Sequence, residues 1–219
     1  MTTLNILSDG LHFLTHLNDY LTQWMQEYGL WLYGILFLII FTETGLVIMP
    51  LLPGDSLLFA AGALAGNPDN NFSIWILIPL LIAAALLGDN TNYLIGSRIG
   101  VRIFELKWKL LKREYLDKTH SFFEKHGGKA LIMARFVPIV RTFAPFAAGL
   151  GTMTYQRFLV WCISGATLWV VSISMAGYLL GSLPWVKNNF EFIVFGIIGI
   201  SLTPILFQFL KSRFGKTGA

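Results

Sequence analysis

Residues 41–66 read FTETGLVIMPLLPGDSLLFAAGALAG. The stretch sets two carboxylates, Glu43 and Asp55, among apolar residues and interrupts them with Pro50, Pro53 and Gly54. A membrane-spanning helix needs about 20 apolar residues, and the run on either side of the break is shorter than that. The pattern predicts a helix that enters a bilayer and turns back. Non-helical backbone at membrane depth is tolerated only where it is buried in protein or lines a wet cavity. Acids kept in such a place mark a functional site.

A second copy of this design follows. Residues 135–149 read RFVPIVRTFAPFAAG, again apolar and again interrupted by prolines, Pro138 and Pro145, but carrying Arg135 and Arg141 in place of acids. Phe59-Ala60-Ala61-Gly62 recurs as Phe146-Ala147-Ala148-Gly149, and Tyr93-Leu94-Ile95-Gly96-Ser97 recurs as Tyr178-Leu179-Leu180-Gly181-Ser182. The Phe-to-Tyr spacing is 34 residues in the first copy (93 − 59) and 32 in the second (178 − 146). Two matches in the same order at nearly equal spacing indicate an internal repeat.

The whole chain supports a membrane setting. With 55% hydrophobic and 13% charged residues among 219, it reads as one integral membrane domain rather than a soluble one. The one cysteine, Cys162, sits in an apolar run, and the four histidines complete no ligand pattern, so neither a disulfide framework nor a metal or cofactor site is expected. Charge is strongly asymmetric. Residues 1–97 hold seven acids and no Lys or Arg, whereas residues 98–219 hold all sixteen basic residues and five acids, a balance of +11 (16 − 5). The basic residues lie between apolar segments, so they are read as topology signals rather than as a nucleic-acid surface.

Residues 1–28 lack a basic leader and place Leu14, Leu17, Leu21, Trp24 and Tyr28 on one helical face, the pattern of an amphipathic helix lying at an interface or packed on the protein itself. Residues 29–97 form the first repeat, with helix 29–41, the broken stretch and a crossing helix from Phe72 to about Ile99. The connection 98–129 carries nine Lys or Arg residues, which assigns it to the cytoplasm. Within it, residues 121–127 read as an interfacial helix ended by Gly127-Gly128. Residues 130–182 form the second repeat, and 189–219 hold a last transmembrane helix and a basic tail. If 130–151 crossed fully, that tail would end outside; if 130–151 dips in and returns, the tail ends inside with the other basic residues. The expected fold is thus an all-α polytopic membrane protein. It is built as an inverted repeat of re-entrant hairpin plus transmembrane helix, with interfacial amphipathic helices and a site where the hairpin tips meet.

Four charges lie in or beside the broken segments: Glu43, Asp55, Arg135 and Arg141. Two acids against two arginines would be neutral, and one reading is an ion-pair network that only locks the hairpins. The functional reading divides the tasks. The guanidinium forks of Arg135 and Arg141, turned toward one point by Pro138, suit a phosphate group. Glu43 and Asp55, shielded from water, would exchange protons as the cavity opens to each side. Asp89 is read at the inner end of its helix beside Gly88 and Asn90, where an interfacial cap and a proton relay are both open.

At these residues the sequence resembles a known family. E-T-G-x-x-x-M-P-x-L-P-G-D-S at 43–56, G-D-x-x-x-Y-x-x-G at 88–96, K-H-G-G-K at 125–129 and A-R-F-V-P-I-V-R-T-F-A-P-F-A-A-G at 134–149 are similar to the DedA family, within the SNARE-associated or VTT-domain superfamily. The resemblance implies a multi-pass protein of the bacterial inner membrane with two re-entrant hairpins. It also implies transport of lipids between leaflets, notably undecaprenyl phosphate, or proton-dependent tolerance of alkaline pH, drugs and osmotic stress. The family's important acids and arginines fall on Glu43, Asp55, Arg135 and Arg141. Many relatives have an arginine directly after the glycine at 96; here Ser97 stands there and Arg98 follows.

The leading expectation is a proton-coupled flippase of a phosphate-bearing lipid, undecaprenyl phosphate or a phospholipid, with membrane lipids and protons as partners and no nucleic acid. The alternative is a proton-coupled antiporter of a small cation or drug. A phosphatase would need a nucleophile, metal ligands or a second phosphate motif, and Pro53-Gly54-Asp55-Ser56 occurs once with no histidine to assist, so no enzyme activity is expected. A pure scaffold has no use for charges inside broken membrane helices. Monomer and homodimer both stay open.

Overall fold

The computed structural model describes residues 17–45, 54–67, 70, 72–105, 125–150, 153–181, and isolated positions from 183 to 199. Among these, seven helices follow in order: α1 (Leu17–Tyr28), α2 (Trp31–Gly45), α3 (Gly54–Ala65), α4 (Ile74–Glu105), α5 (Lys129–Ala134), α6 (Pro138–Leu150) and α7 (Tyr155–Leu180). Pro50, Pro53, residues 1–16, the middle of the basic connection and residues 200–219 lie outside the described residues, as does nearly all of the expected last transmembrane helix.

Among the described residues, two helices are long and apolar enough to cross a membrane, Ile74–Arg98 within α4 and Tyr155–Leu180, which is α7. Their outward faces stay apolar: Trp75, Leu87, Val160, Leu168 and Leu179 are all exposed. A soluble protein would cover such a surface. The first crossing helix ends later than its apolar run suggests, continuing past Ile99 to Glu105. Asp89 therefore sits in mid-helix, 1% exposed, and is not an interfacial cap. Gly29 (φ +53°) and Gly127 (φ +58°) adopt the left-handed conformation that favours glycine after a helix. Gly29 ends α1, its N–H donating to the Met25 carbonyl at 2.9 Å.

The second break also falls differently. It lies at Arg135–Val137, between α5 and α6, with Pro138 opening α6 where its missing N–H costs nothing. Pro145 does not break the segment; α6 runs through it, as α4 runs through Pro79. Membrane helices accommodate proline because neighbouring groups take up the freed carbonyl.

The helices group into two compact units. The first contains α1, nearly all of α3 and the end of α7 from Ile173; the second contains α2, nearly all of α4, α5, α6 and α7 up to Ser172. Each unit is built on glycine contacts made by the repeated tetrapeptides. In the first unit, a Cβ on Gly62 would lie 2.1 Å from the Ser174 carbonyl oxygen, and one on Gly177 would lie 2.0 Å from that of Phe59. In the second, a Cβ on Gly149 would lie 2.2 Å from the Tyr93 carbonyl oxygen, and one on Gly96 would lie 2.3 Å from that of Phe146. The backbones meet this closely because small residues let membrane helices touch. In each unit the Phe-Ala-Ala-Gly of one copy therefore packs on the Tyr-containing helix of the other. The units do not follow residues 29–97 and 130–182, since each draws helices from both stretches.

Candidate functional site

Five helices of the second unit bring its buried charges together. On α4, a Cβ at Gly88 would lie 2.0 Å from Thr44 Oγ1 and 2.9 Å from the Gly45 nitrogen, so only glycine lets α2 come this close. The next residue on α4 is Asp89, and the turn of α2 that touches Gly88 carries Glu43. One turn further along α4, buried Asn92 ties three segments together, its Nδ2 donating to the Thr44 carbonyl at 2.5 Å and the Thr142 carbonyl at 3.2 Å. At the start of α7, Tyr93 donates to the Met153 carbonyl at 2.8 Å and stacks on Phe158 at 4.3 Å, while Tyr155 donates to Asn90 Oδ1 at 2.8 Å.

Into this frame come the two arginines, Arg135 from the end of α5 and Arg141 from the first turn of α6. Arg135 is 5% and Arg141 4% exposed, so each must be compensated where it sits. Arg141 Nη2 donates to Glu43 Oε1 at 2.5 Å. Arg135 Nη2 donates to Asp89 Oδ2, which also accepts the Cys162 thiol at 2.9 Å. Gly165 on α7 leaves room for this side chain, since a Cβ there would lie 3.2 Å from Arg135 Nε. Both guanidinium groups lie over one ring, that of fully buried Trp169, at 4.6 Å for Arg141 and 5.9 Å for Arg135. Cation–π attraction in a desolvated site contributes about 2 kcal/mol, which helps hold two like charges together.

Asp89, read from the sequence as a cap or relay, stands among the buried ion pairs. Glu43 stands on Arg141, but the partner of Arg135 is Asp89. Asp55 lies in the first turn of α3, half-buried and assigned to the first unit. Gly54, directly before it, packs on the site: a Cβ there would lie 1.9 Å from Glu43 Oε2. Arg98 is exposed on α4. Trp169, Asn92 and Cys162 were not legible as site residues. A tryptophan in an apolar helix reads as packing, but an asparagine three residues after an aspartate, Asp89-Asn90-Thr91-Asn92, marks a polar stripe inside a crossing helix.

A cavity lined by Asp89, Arg135, Arg141, Pro145, Phe158 and Cys162 adjoins the pairs. Its space, about 10 Å³ for the centre of a water molecule, suits a single water. Among the described residues, no hydrogen-bond partner meets the buried Asp89 Oδ1 or Arg135 Nη1. Two arginines thus stand against two buried carboxylates beside a small cavity.

Comparison with known proteins identifies the family. The VTT domain family profile matches residues 52–179. Protein DedA of Escherichia coli K12 is 48% identical over 204 residues, covering 93% of each chain. A membrane protein of Mycobacterium tuberculosis H37Rv is 46% identical over 174 residues, 79% of this chain and 76% of its own. The inner membrane protein YqjA of Escherichia coli K12 is 38% identical over 154 residues, 70% of this chain and 69% of its own. No solved structure matches the chain. On a family profile covering more than half its length and close identity along nearly all of it, this chain is a member of the VTT-domain, or DedA, family of membrane proteins.

Proposed function

We propose that the protein moves a phosphate-bearing lipid, undecaprenyl phosphate or a phospholipid, between the leaflets of the bacterial inner membrane, coupled to the proton gradient. The observation that carries this reading is the convergence of Arg135 and Arg141 on Trp169, each held by a buried carboxylate. Planar guanidinium forks match phosphate oxygens two at a time. A carboxylate that takes up a proton releases its arginine, so proton uptake by the acid and phosphate binding by the arginine occur together. Glu43 gates Arg141 in this scheme, and Asp55 takes the same role from the first turn of α3. No covalent step is required, and the protein acts as a transporter rather than an enzyme.

The membrane arrangement follows the same lines. Helices α2, α3, α5 and α6 have 15, 12, 6 and 13 residues, each short of the roughly 20 needed to span. Such lengths support two re-entrant hairpins. The exchange of Phe-Ala-Ala-Gly and Tyr-containing helices supports an inverted repeat. The nine basic residues of 98–129 and the basic tail support a cytoplasmic side for both.

The two buried carboxylates also favour a second reading, a proton-coupled antiporter of a small cation or drug. Sealed proteoliposomes separate the two. The flippase reading expects undecaprenyl phosphate to change leaflet with wild type and not with Arg135→Ala, and undecaprenol, which lacks the phosphate, not to move. Cation-driven proton release with no movement of either lipid would replace it with the antiporter.

A further inference from the structure

We infer that Asp89 is the counter-ion that a phosphate group must displace from Arg135, and that it sets the affinity of the site for anions. The inference rests on the proposed phosphate site and adds a residue to it. Asp89 occupies Arg135 through one oxygen, Oδ2, while Oδ1 lies buried with no partner. Arg135 mirrors this arrangement, with Nη2 engaged and Nη1 buried without a partner. A guanidinium offers two parallel donors to a phosphate, so a phosphate can satisfy an atom that Asp89 leaves unmet. Both side chains wall the cavity beside Arg141, so an anion that enters it meets Asp89 and Arg135 together.

A release path for Asp89 is built in. The Cys162 thiol donates to the same Oδ2 at 2.9 Å, so the carboxylate keeps a hydrogen bond when Arg135 departs. The thiol cannot replace the charge of the arginine. Displacement therefore stays unfavourable until an anion arrives to compensate Arg135, and an empty site closes again. Asp89 acts here as a positioning residue, through Arg135, and does not itself bind the lipid.

The test uses the purified full-length protein in detergent with inorganic phosphate as the probe, titrated by calorimetry. Asp89→Asn keeps the shape and removes the competing charge. A hydrogen bond between charged groups contributes enough that its loss should tighten phosphate binding at least about tenfold. Glu27→Gln, at an exposed carboxylate of α1, should leave the affinity within about twofold. A purely structural pair predicts weaker or unchanged binding in Asp89→Asn, and that result overturns the inference, as does equal tightening by Glu27→Gln.

A second measurement needs no substitution. Cys162 is the only cysteine in the chain, so phosphate should speed its labelling by a methanethiosulfonate reagent in wild type as Asp89 withdraws. A labelling rate independent of phosphate overturns the inference even if Asp89→Asn does not fold. Lipid movement by wild type combined with unchanged phosphate affinity in Asp89→Asn would remove the role of Asp89 alone. Absence of lipid movement would remove the flippase reading itself.

Discussion

Replacing Gly54 with alanine should disable the site through a single methyl group. The new Cβ would lie 1.9 Å from Glu43 Oε2 and 2.6 Å from its Cδ and Oε1, whereas ordinary contact begins at 3.4 Å. The carboxylate must then retreat by about 1.5 Å (3.4 − 1.9). An exposed glutamate would swing away at little cost, but Glu43 is 1% exposed and its Oε1 accepts from Arg141 at 2.5 Å. A retreat of that size breaks the pair. The loss of a hydrogen bond between charged groups costs about 1.5–3 kcal/mol, and more if Arg141 stays buried without compensation. At about 2–4 °C per kcal/mol for a chain of this length, melting in detergent should fall by about 5–10 °C. Lipid movement in proteoliposomes should be lost with it. Adding Glu43→Asp, one methylene shorter, makes room for the methyl group and should restore part of both, since the two sites are in contact and couple. Wild-type melting and lipid movement in Gly54→Ala would refute the claim that this glycine seats the Glu43 carboxylate.

Other substitutions probe the frame and the ring. Gly149→Ala puts a Cβ 2.2 Å from the Tyr93 carbonyl oxygen, a backbone atom that cannot yield, so folded yield and melting temperature should drop sharply. Gly34→Ala, also within a helix but with nothing inside 4 Å, should be neutral or stabilising by up to about 1 kcal/mol; equal loss in the two variants would contradict the packing account. Trp169→Phe should keep most lipid movement, whereas Trp169→Leu should lose it, because leucine offers the guanidinium groups no aromatic face. Comparable rates in these two variants, each checked for folding, would show that the ring serves only as bulk.

Much of this site was legible before the fold was known, for a physical reason. Charge inside an apolar segment is costly, so Glu43, Arg135 and Arg141 stood out by their surroundings alone. Pairing was not legible in the same way. Asp55 seemed the natural second acid because it shares a broken segment with Glu43, while Asp89 seemed to end a helix because polar residues cluster around it. The tight crossing at Gly88 buries that cluster, and α4 runs on to Glu105. Sequence proximity could not anticipate a contact 46 residues apart. The repeated tetrapeptides announced their kinship but not their exchange of partners, since identity fixes which segments are alike and says nothing about which ones touch. The proline signal was half right: a proline opening a helix and a proline inside one look the same in sequence, and Pro138 and Pro145 turned out to be one of each.

Protonation of a buried carboxylate is proposed to free its arginine for phosphate. This is tested most directly by following undecaprenyl phosphate between leaflets of sealed proteoliposomes with an imposed pH gradient, comparing wild type with folded Glu43→Gln. The account predicts that the gradient biases the final leaflet distribution in wild type and that the bias disappears in Glu43→Gln. A distribution unmoved by the gradient in wild type, or a bias that survives Glu43→Gln unchanged, would contradict it.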